Sequence, residues 1–352
     1  MHGNLTSGGK PLLCSDPHLA LLAPSLWLLF HLEVANGTQD GAPLSLIGTT
    51  FAGAPGIVIG RNQHIAWGVT NTGADVQDLF VLPANESDLP AGRSIISRVE
   101  RFEIAGENPE YRTIRNVSGI GPIITDNGLQ VSSHTLALKW VSIDPTVPDT
   151  TYEAFSLLNT ATNFDEFRGA LRRYVAPAQN FVFASATGDI GYQIPGKIPN
   201  RQDNITGLFP TPLVSVAPWP TYVAFDDLPF TKNPGSGFIA TANNRAVPSC
   251  FKTQVTCDWD EGRCVERERA SCINLQGCLP VDLCRRIPNP GPALRPGIVN
   301  VHVRPPTQVH QLNRTPTPCS FDCSFSWALV MAIVLLGSQN CSRPVATTRS
   351  QP

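Results

Sequence analysis

Nine of the ten cysteines in this chain of 352 residues lie at or beyond position 250, and only Cys14 precedes them. That segregation limits what the chain can fold into, because a single uniformly built domain does not divide its thiols in this way. The apolar pattern changes at the same seam. Up to Pro248, short apolar runs are punctuated by Gly, Asn and Pro, as strands are by turns. Beyond it, "PNPGPALRPG", "RPPTQ" and "TPTPCS" break any apolar period. The expected organisation is a folded domain over 1–248 and a Cys/Pro-rich tail over 249–352, irregular or frameshift-derived. Six cysteines from Cys250 to Cys284 are spaced 7, 7, 8, 6 and 6 apart, with no CxxC, which makes both a zinc site and a disulfide-stapled module weak readings.

Hydrophobic content of 42% against 15% charged suits a sizeable core and excludes wholesale disorder. A net charge of -2 supplies no pull toward nucleic acid or anionic lipid, and neither is an expected partner. Thirty-two prolines against two methionines favour a loop-rich β or α+β protein. The run "LALLAPSLWLLFHL" (19–32) is shaped like a signal-peptide core, but Pro24 interrupts it and no clean cleavage site follows. "FSWALVMAIVLLG" (325–337) has 13 residues, short of the roughly 20 that a membrane span needs.

The runs "GIVIG", "HIAWGVT", "DLFVL" and "HTLALKWVSI" read as strands, and Asn127-Gly128 reads as a type I′ hairpin turn. Between 151 and 175 the period turns helical, with Phe164, Phe167, Leu171 and Tyr174 on one face. Asn163 is a suitable N-cap there, and Glu166 completes a capping-box pattern. "QNFVFASATGDIGYQIPG" is a strand-turn-strand unit with Asp189 near the turn, and "SGFIATANN" reads as one more strand. Antiparallel strands with few helices make an α+β layered architecture.

Four separated blocks then carry a resemblance: "GKPLLCSDPHLALLAPSLWLLFHLE", "GAPGIVIGRNQHIAWGVTNTGADVQDLF", "APAQNFVFASATGDIGYQIPGKIPNR" and "NPGSGFIATANNR". In this order, over roughly residues 8–248, they resemble the catalytic β chain of the penicillin acylase family, which are N-terminal-nucleophile hydrolases. The resemblance implies an α+β fold of the four-layer αββα type, present here in part. It implies hydrolysis of a linear amide, of the penicillin or acyl-homoserine-lactone kind, into a carboxylic acid and an amine. The nucleophile in such enzymes is a chain-terminal serine whose own α-amine takes the proton.

Carried over residue by residue, His18 matches the Gln or His beside the nucleophile. Asn71 matches the backbone N–H of the oxyanion hole, Asn243 its side-chain donor, and Arg263 a later arginine. Asp75 and Asp78 match the carboxylate ligands of a structural calcium ion, and Gln77 matches a carbonyl ligand, with Gly207 as a further one. Trp27, Phe30 and Val69 are candidate acyl-pocket lining. The family serine is expected a few residues upstream of Met1, which makes this an incomplete β chain with impaired hydrolysis. A separate α chain and a periplasmic or secreted location are also implied, without a convincing signal peptide. A non-catalytic truncated remnant and a disulfide-bearing binding protein are the alternative readings.

Overall fold

The computed structural model describes residues 1–251 apart from 18, 20–21, 36–40, 42, 55, 128–133, 203–204, 216 and 249–250, together with 253–256, 259 and the backbone of 332–334. In chain order the first strands are β1 (Leu12–Cys14), β2 (Trp27–Val34), β3 (Leu44–Phe51), β4 (Ile59–Arg61), β5 (Ile65–Asn71) and β6 (Gln77–Val81). Next come β7 (Ile95–Phe102), β8 (Glu110–Val117), β9 (Gly121–Pro122) and β10 (Leu136–Trp140), then helices α1 (Thr151–Thr160) and α2 (Phe164–Leu171). The remaining strands are β11 (Gln179–Ser185), β12 (Ile190–Gln193), β13 (Pro199–Asn200), β14 (Thr211–Pro212), β15 (Thr221–Tyr222), β16 (Phe230–Lys232) and β17 (Ala332–Val334).

Seven strands form the main sheet, in the order β16-β12-β11-β5-β4-β3-β2. Every neighbouring pair in it is antiparallel. Strand β5 is near its centre, and strand alternation sends its side chains to two different layers. Ile65 and Trp67 face α1 and α2, where Leu158, Phe164, Phe167 and Leu171 close over them with Phe181 and Phe183 of β11. Each such buried side chain contributes about 1.5–3 kcal/mol. Ala66 faces the other way, into a smaller cluster with Leu13, Ala184 and Ile190. A three-stranded sheet, β10-β6-β14, carries a separate core around Phe80 and Ala137.

Two buried amides fix β4 and β5 to the helices. Asn159, at the end of α1, accepts from the Ile57 N–H at 2.7 Å and donates to the Ile57 carbonyl at 2.9 Å. Asn62 donates to the carbonyls of Asn159 and Ala161, and its Oδ1 accepts from the N–H groups of His64 and Ile65. The β4–β5 turn thus has its backbone groups satisfied by side chains rather than by water.

The helical stretch expected over 151–175 divides into α1 and α2, with Tyr174 beyond the end of α2, and its capping signal is met with one change. Asn163 caps α2, its Oδ1 accepting from Asp165 and Glu166 N–H groups at 3.0 and 2.9 Å. Glu166 reaches back one residue further than a capping box requires, to the Thr162 N–H at 2.8 Å. The expected strand through "SGFIATANN" is not formed: residues 238–244 are irregular. Gly237 and Asn243 take φ of 74° and 60°, which no ladder accommodates, and the contact of this stretch with β5 runs through side chains. Asn127 ends a 3₁₀ turn, Ile124–Asn127, and Gly128 of the expected hairpin lies outside the described residues. So do the tail cysteines from Cys250 on. Among the described residues no helix is long and apolar enough to cross a membrane.

Candidate active site

The site is built on the face of β5 that carries Ala66, Gly68 and Thr70. The segment after β1 lies across this face so closely that a Cβ at Gly68 would come within 2.7 Å of both Cβ and Oγ of Ser15. Only glycine allows that approach. At the end of the strand, Thr70 Oγ1 and Thr241 Oγ1 are 2.9 Å apart in a hydrogen bond. This bond spans 171 positions of sequence. It joins the residue before Asn71 to a residue two before Asn243, so the two expected oxyanion donors lie on adjoining segments.

The two asparagines after Thr241 have different work. Asn244 serves its own loop, accepting from the Ala242 N–H at 2.9 Å and donating to the Arg245 carbonyl at 3.0 Å. Asn243 holds the left-handed φ of 60° and is exposed, and its side chain has no hydrogen bond among the described residues. It is therefore the member of the pair with a donor to offer. Asn71 is exposed at the strand end, its Oδ1 accepting from the Gly73 N–H at 3.3 Å. His18 and Arg263 lie outside the described residues. Of the expected pocket lining, Val69 packs against the helix-side core, Trp27 stacks on Phe51 at 4.3 Å, and Phe30 is exposed on β2. Strand alternation puts Val69 on the opposite face from Thr70, so it is a core residue.

Asp75 and Asp78 do come together, around Arg201. Its Nε lies 3.1 and 3.0 Å from the two Asp78 oxygens, and its Nη2 lies 2.9 Å from Asp75 Oδ1 and 3.2 Å from the Asp75 carbonyl. The Trp219 indole N–H also donates to Asp78. Lys139 sits over the Trp219 ring at 4.9 Å and pairs with the buried Asp144 at 2.9 Å. Burial pushes the Asp144 carboxyl up, but hydrogen bonds from Thr146, Lys139 and Tyr222 outweigh it and hold it at about 2. At Asp75 the balance is reversed. Burial pushes its carboxyl up to about 6, with Asp78 adding to the rise and Arg201 opposing it.

A calcium ion can be tested against this donor set. Two carboxylates share one guanidinium, so one negative charge is left over, and Asp75 Oδ2 lies where a Gly207 Cβ would come within 2.3 Å of it. Hard oxygens and residual charge suit a hard cation, but calcium takes about 6–8 oxygens. Among the described residues no group of three or more His, Cys, Asp or Glu is assembled. Gln77 is exposed. Calcium at this place would need oxygens beyond these two carboxylates.

The raised Asp75 carboxyl gives a pH dependence of definite sign. A native pKa above the unfolded value means that the folded state binds more protons between about pH 4 and 6. Stability therefore falls as pH rises through that window, by up to ~3 kcal/mol. Urea unfolding of D75N in a chelator is expected to lack this part of the slope; a wild type and D75N of equal slope would refute it.

An antiparallel sheet with two helices packed on one face is a layered α+β fold. The solved structure of a thermostable penicillin G acylase from Alcaligenes faecalis matches it with a TM-score of 0.61 at 22% identity, over 73% of this chain and 45% of that one. The chain belongs to the penicillin amidase family, whose model matches residues 1–275. It is 30% identical over 261 residues to the acyl-homoserine lactone acylase QuiP of Pseudomonas fluorescens (strain Pf0-1), covering 71% of this chain and 30% of the relative. It is 28% identical over 242 residues to penicillin G acylase of Escherichia coli, covering 67% and 27%. The chain thus spans about 30% of the length of the curated relatives it matches.

No motif or spacing in the sequence singles out Arg201 or Trp219.

Proposed function

We propose that the chain supplies the oxyanion-binding part of an amide hydrolase that releases a carboxylic acid from an amine. The observation that carries this reading is the Thr70–Thr241 hydrogen bond at 2.9 Å, which keeps the Asn71 and Asn243 segments side by side. A hydroxyl nucleophile attacks the amide carbon and passes its proton to the neighbouring α-amine. The carbonyl oxygen becomes an oxyanion, received by the Asn71 N–H and the Asn243 side-chain amide. The C–N bond then breaks, the amine leaves with the proton, and water hydrolyses the resulting ester. Fixed donors of this kind act before charge develops and need no reorganisation when it does. His18 is assigned the support of the nucleophile or the oxyanion, by the resemblance of its block.

The acyl group is proposed to be that of an acyl-homoserine lactone or a penicillin, since relatives of both kinds are similar to this chain. A separate α chain is the proposed cover for β2, where Leu28 through Val34 are exposed along an edge strand. Such an edge invites aggregation unless something covers it. Calcium is the proposed counter-charge at Asp75, Asp78 and the Gln77 carbonyl, completed from elsewhere. Thermal melts in calcium and in chelator test it: a rise in Tm with calcium supports the ion, and superimposable melts remove it.

The function is tested by expressing the polypeptide with its upstream coding sequence and assaying an acyl-homoserine lactone and a phenylacetyl amide. Acid and amine are expected in equal amounts. No release, from a polypeptide whose serine has been exposed by processing, leaves the fold without the activity.

A further inference from the structure

Asn180 is 1% exposed and Tyr192 is fully buried, on neighbouring strands behind the candidate oxyanion site. Asn180 stands directly opposite Thr70 in the β11–β5 register. Its Nδ2 donates to the Asn71 carbonyl at 3.1 Å and to Thr70 Oγ1 at 3.1 Å, and its Oδ1 accepts from the Tyr192 hydroxyl. The Asn71 carbonyl settles the direction of every one of these bonds, because it can only accept. The Asn180 amide must turn its NH₂ toward Asn71, so its oxygen faces Tyr192, which must donate. Thr70, having accepted from Asn180, passes its own hydrogen to Thr241 at 2.9 Å. Burial pushes the Tyr192 phenol well above its ordinary range, so the first donor keeps its proton at any working pH.

Resting on the amide-hydrolase reading above, we propose that Asn180 and Tyr192 are positioning residues. Through Thr70 and Thr241 they orient the Asn71 segment and hold it at a fixed spacing from the Asn243 loop. A one-directional relay of satisfied, buried groups rigidifies the elements it joins. The reach of this relay to both oxyanion segments is what gives Asn180 a role beyond the stability of its own strand.

Hydrogen–deuterium exchange of the intact chain reads the coupling without turnover. T70V cuts the relay at its midpoint, T70S keeps the hydroxyl, and N180D sets an acceptor against the Asn71 carbonyl. T70V and N180D are expected to speed exchange by about tenfold in both 65–73 and 238–246, with α1 and α2 unchanged and T70S like wild type. The proposal is overturned if T70V leaves 238–246 at the wild-type rate, or if it speeds α1 and α2 equally. Should N180D fail to fold, Y192F, which removes the first donor of the relay, decides in its place: wild-type exchange in both 65–73 and 238–246 overturns the proposal. In a polypeptide with turnover, T70V lowers kcat at unchanged KM and T70S restores it. No turnover from a wild-type polypeptide whose serine has been exposed by processing refutes the hydrolase reading, while the exchange result stands on its own.

Discussion

In a processed polypeptide that carries the serine, replacing Asn243 with alanine is expected to lower kcat for amide hydrolysis by about 10²–10³ while costing the fold only about 1 kcal/mol, the strain of alanine at a left-handed φ. The two halves of this expectation come from the division of labour in the loop. Asn244 makes the hydrogen bonds that hold residues 242–245 together. Asn243 has a left-handed backbone and an exposed side chain with no partner among the described residues. Truncating it breaks no hydrogen bond among the described residues, leaves only the left-handed backbone to strain, and removes a donor from the proposed site. N244A is the contrasting variant: it lowers Tm and affects turnover through the loop. An N243A enzyme with wild-type kcat would take the oxyanion role away from this residue.

The second large effect is on stability. Arg201 is the cation that Asp75 and Asp78 share, and Asp78 is 3% exposed. R201A leaves two neighbouring carboxylates without it, and breaking a buried pair from one side costs about 3–5 kcal/mol. Urea unfolding at pH 7 in a chelator measures this. R201K is expected to recover only part, since an ammonium cannot make the Nε and Nη2 contacts together. Adding D75N to R201A removes one of the stranded charges, so the double variant should be more stable than R201A alone. A loss below about 1 kcal/mol would put the pair in the class of exposed surface bridges and refute the account.

What was legible in the sequence was local. Strands β5, β11 and β12 follow from period-two runs bounded by Gly, Asn and Pro, and α2 from Phe164, Phe167 and Leu171 behind a capping asparagine. The blocks bearing Asn71 and Asn243 were legible as a resemblance, and the structure brings their segments together. Long-range partners were not legible. Arg201 lies 123 positions from Asp78, and Trp219 lies 141 positions away. No spacing rule connects residues at such distances. "FIATA" has the composition of a strand, yet a strand needs a neighbour to pair with, and that requirement is met by the fold and not by the run itself. Asn180 was hidden for a related reason: its role depends on standing opposite Thr70, and register across two strands is a property of the sheet.

The central claim is that the Asn71 backbone N–H and the Asn243 side-chain amide face one oxygen-binding place. Titrating the isotope-labelled chain with phenylacetate, and separately with a medium-chain fatty acid, tests it through the ¹H–¹⁵N resonances of those two groups. Both resonances should move together along a single saturation curve for at least one acid, with N243A abolishing the response at Asn71 or weakening it. Saturating binding that moves one group and leaves the other still, or two curves of different midpoint, would separate the donors and contradict the account.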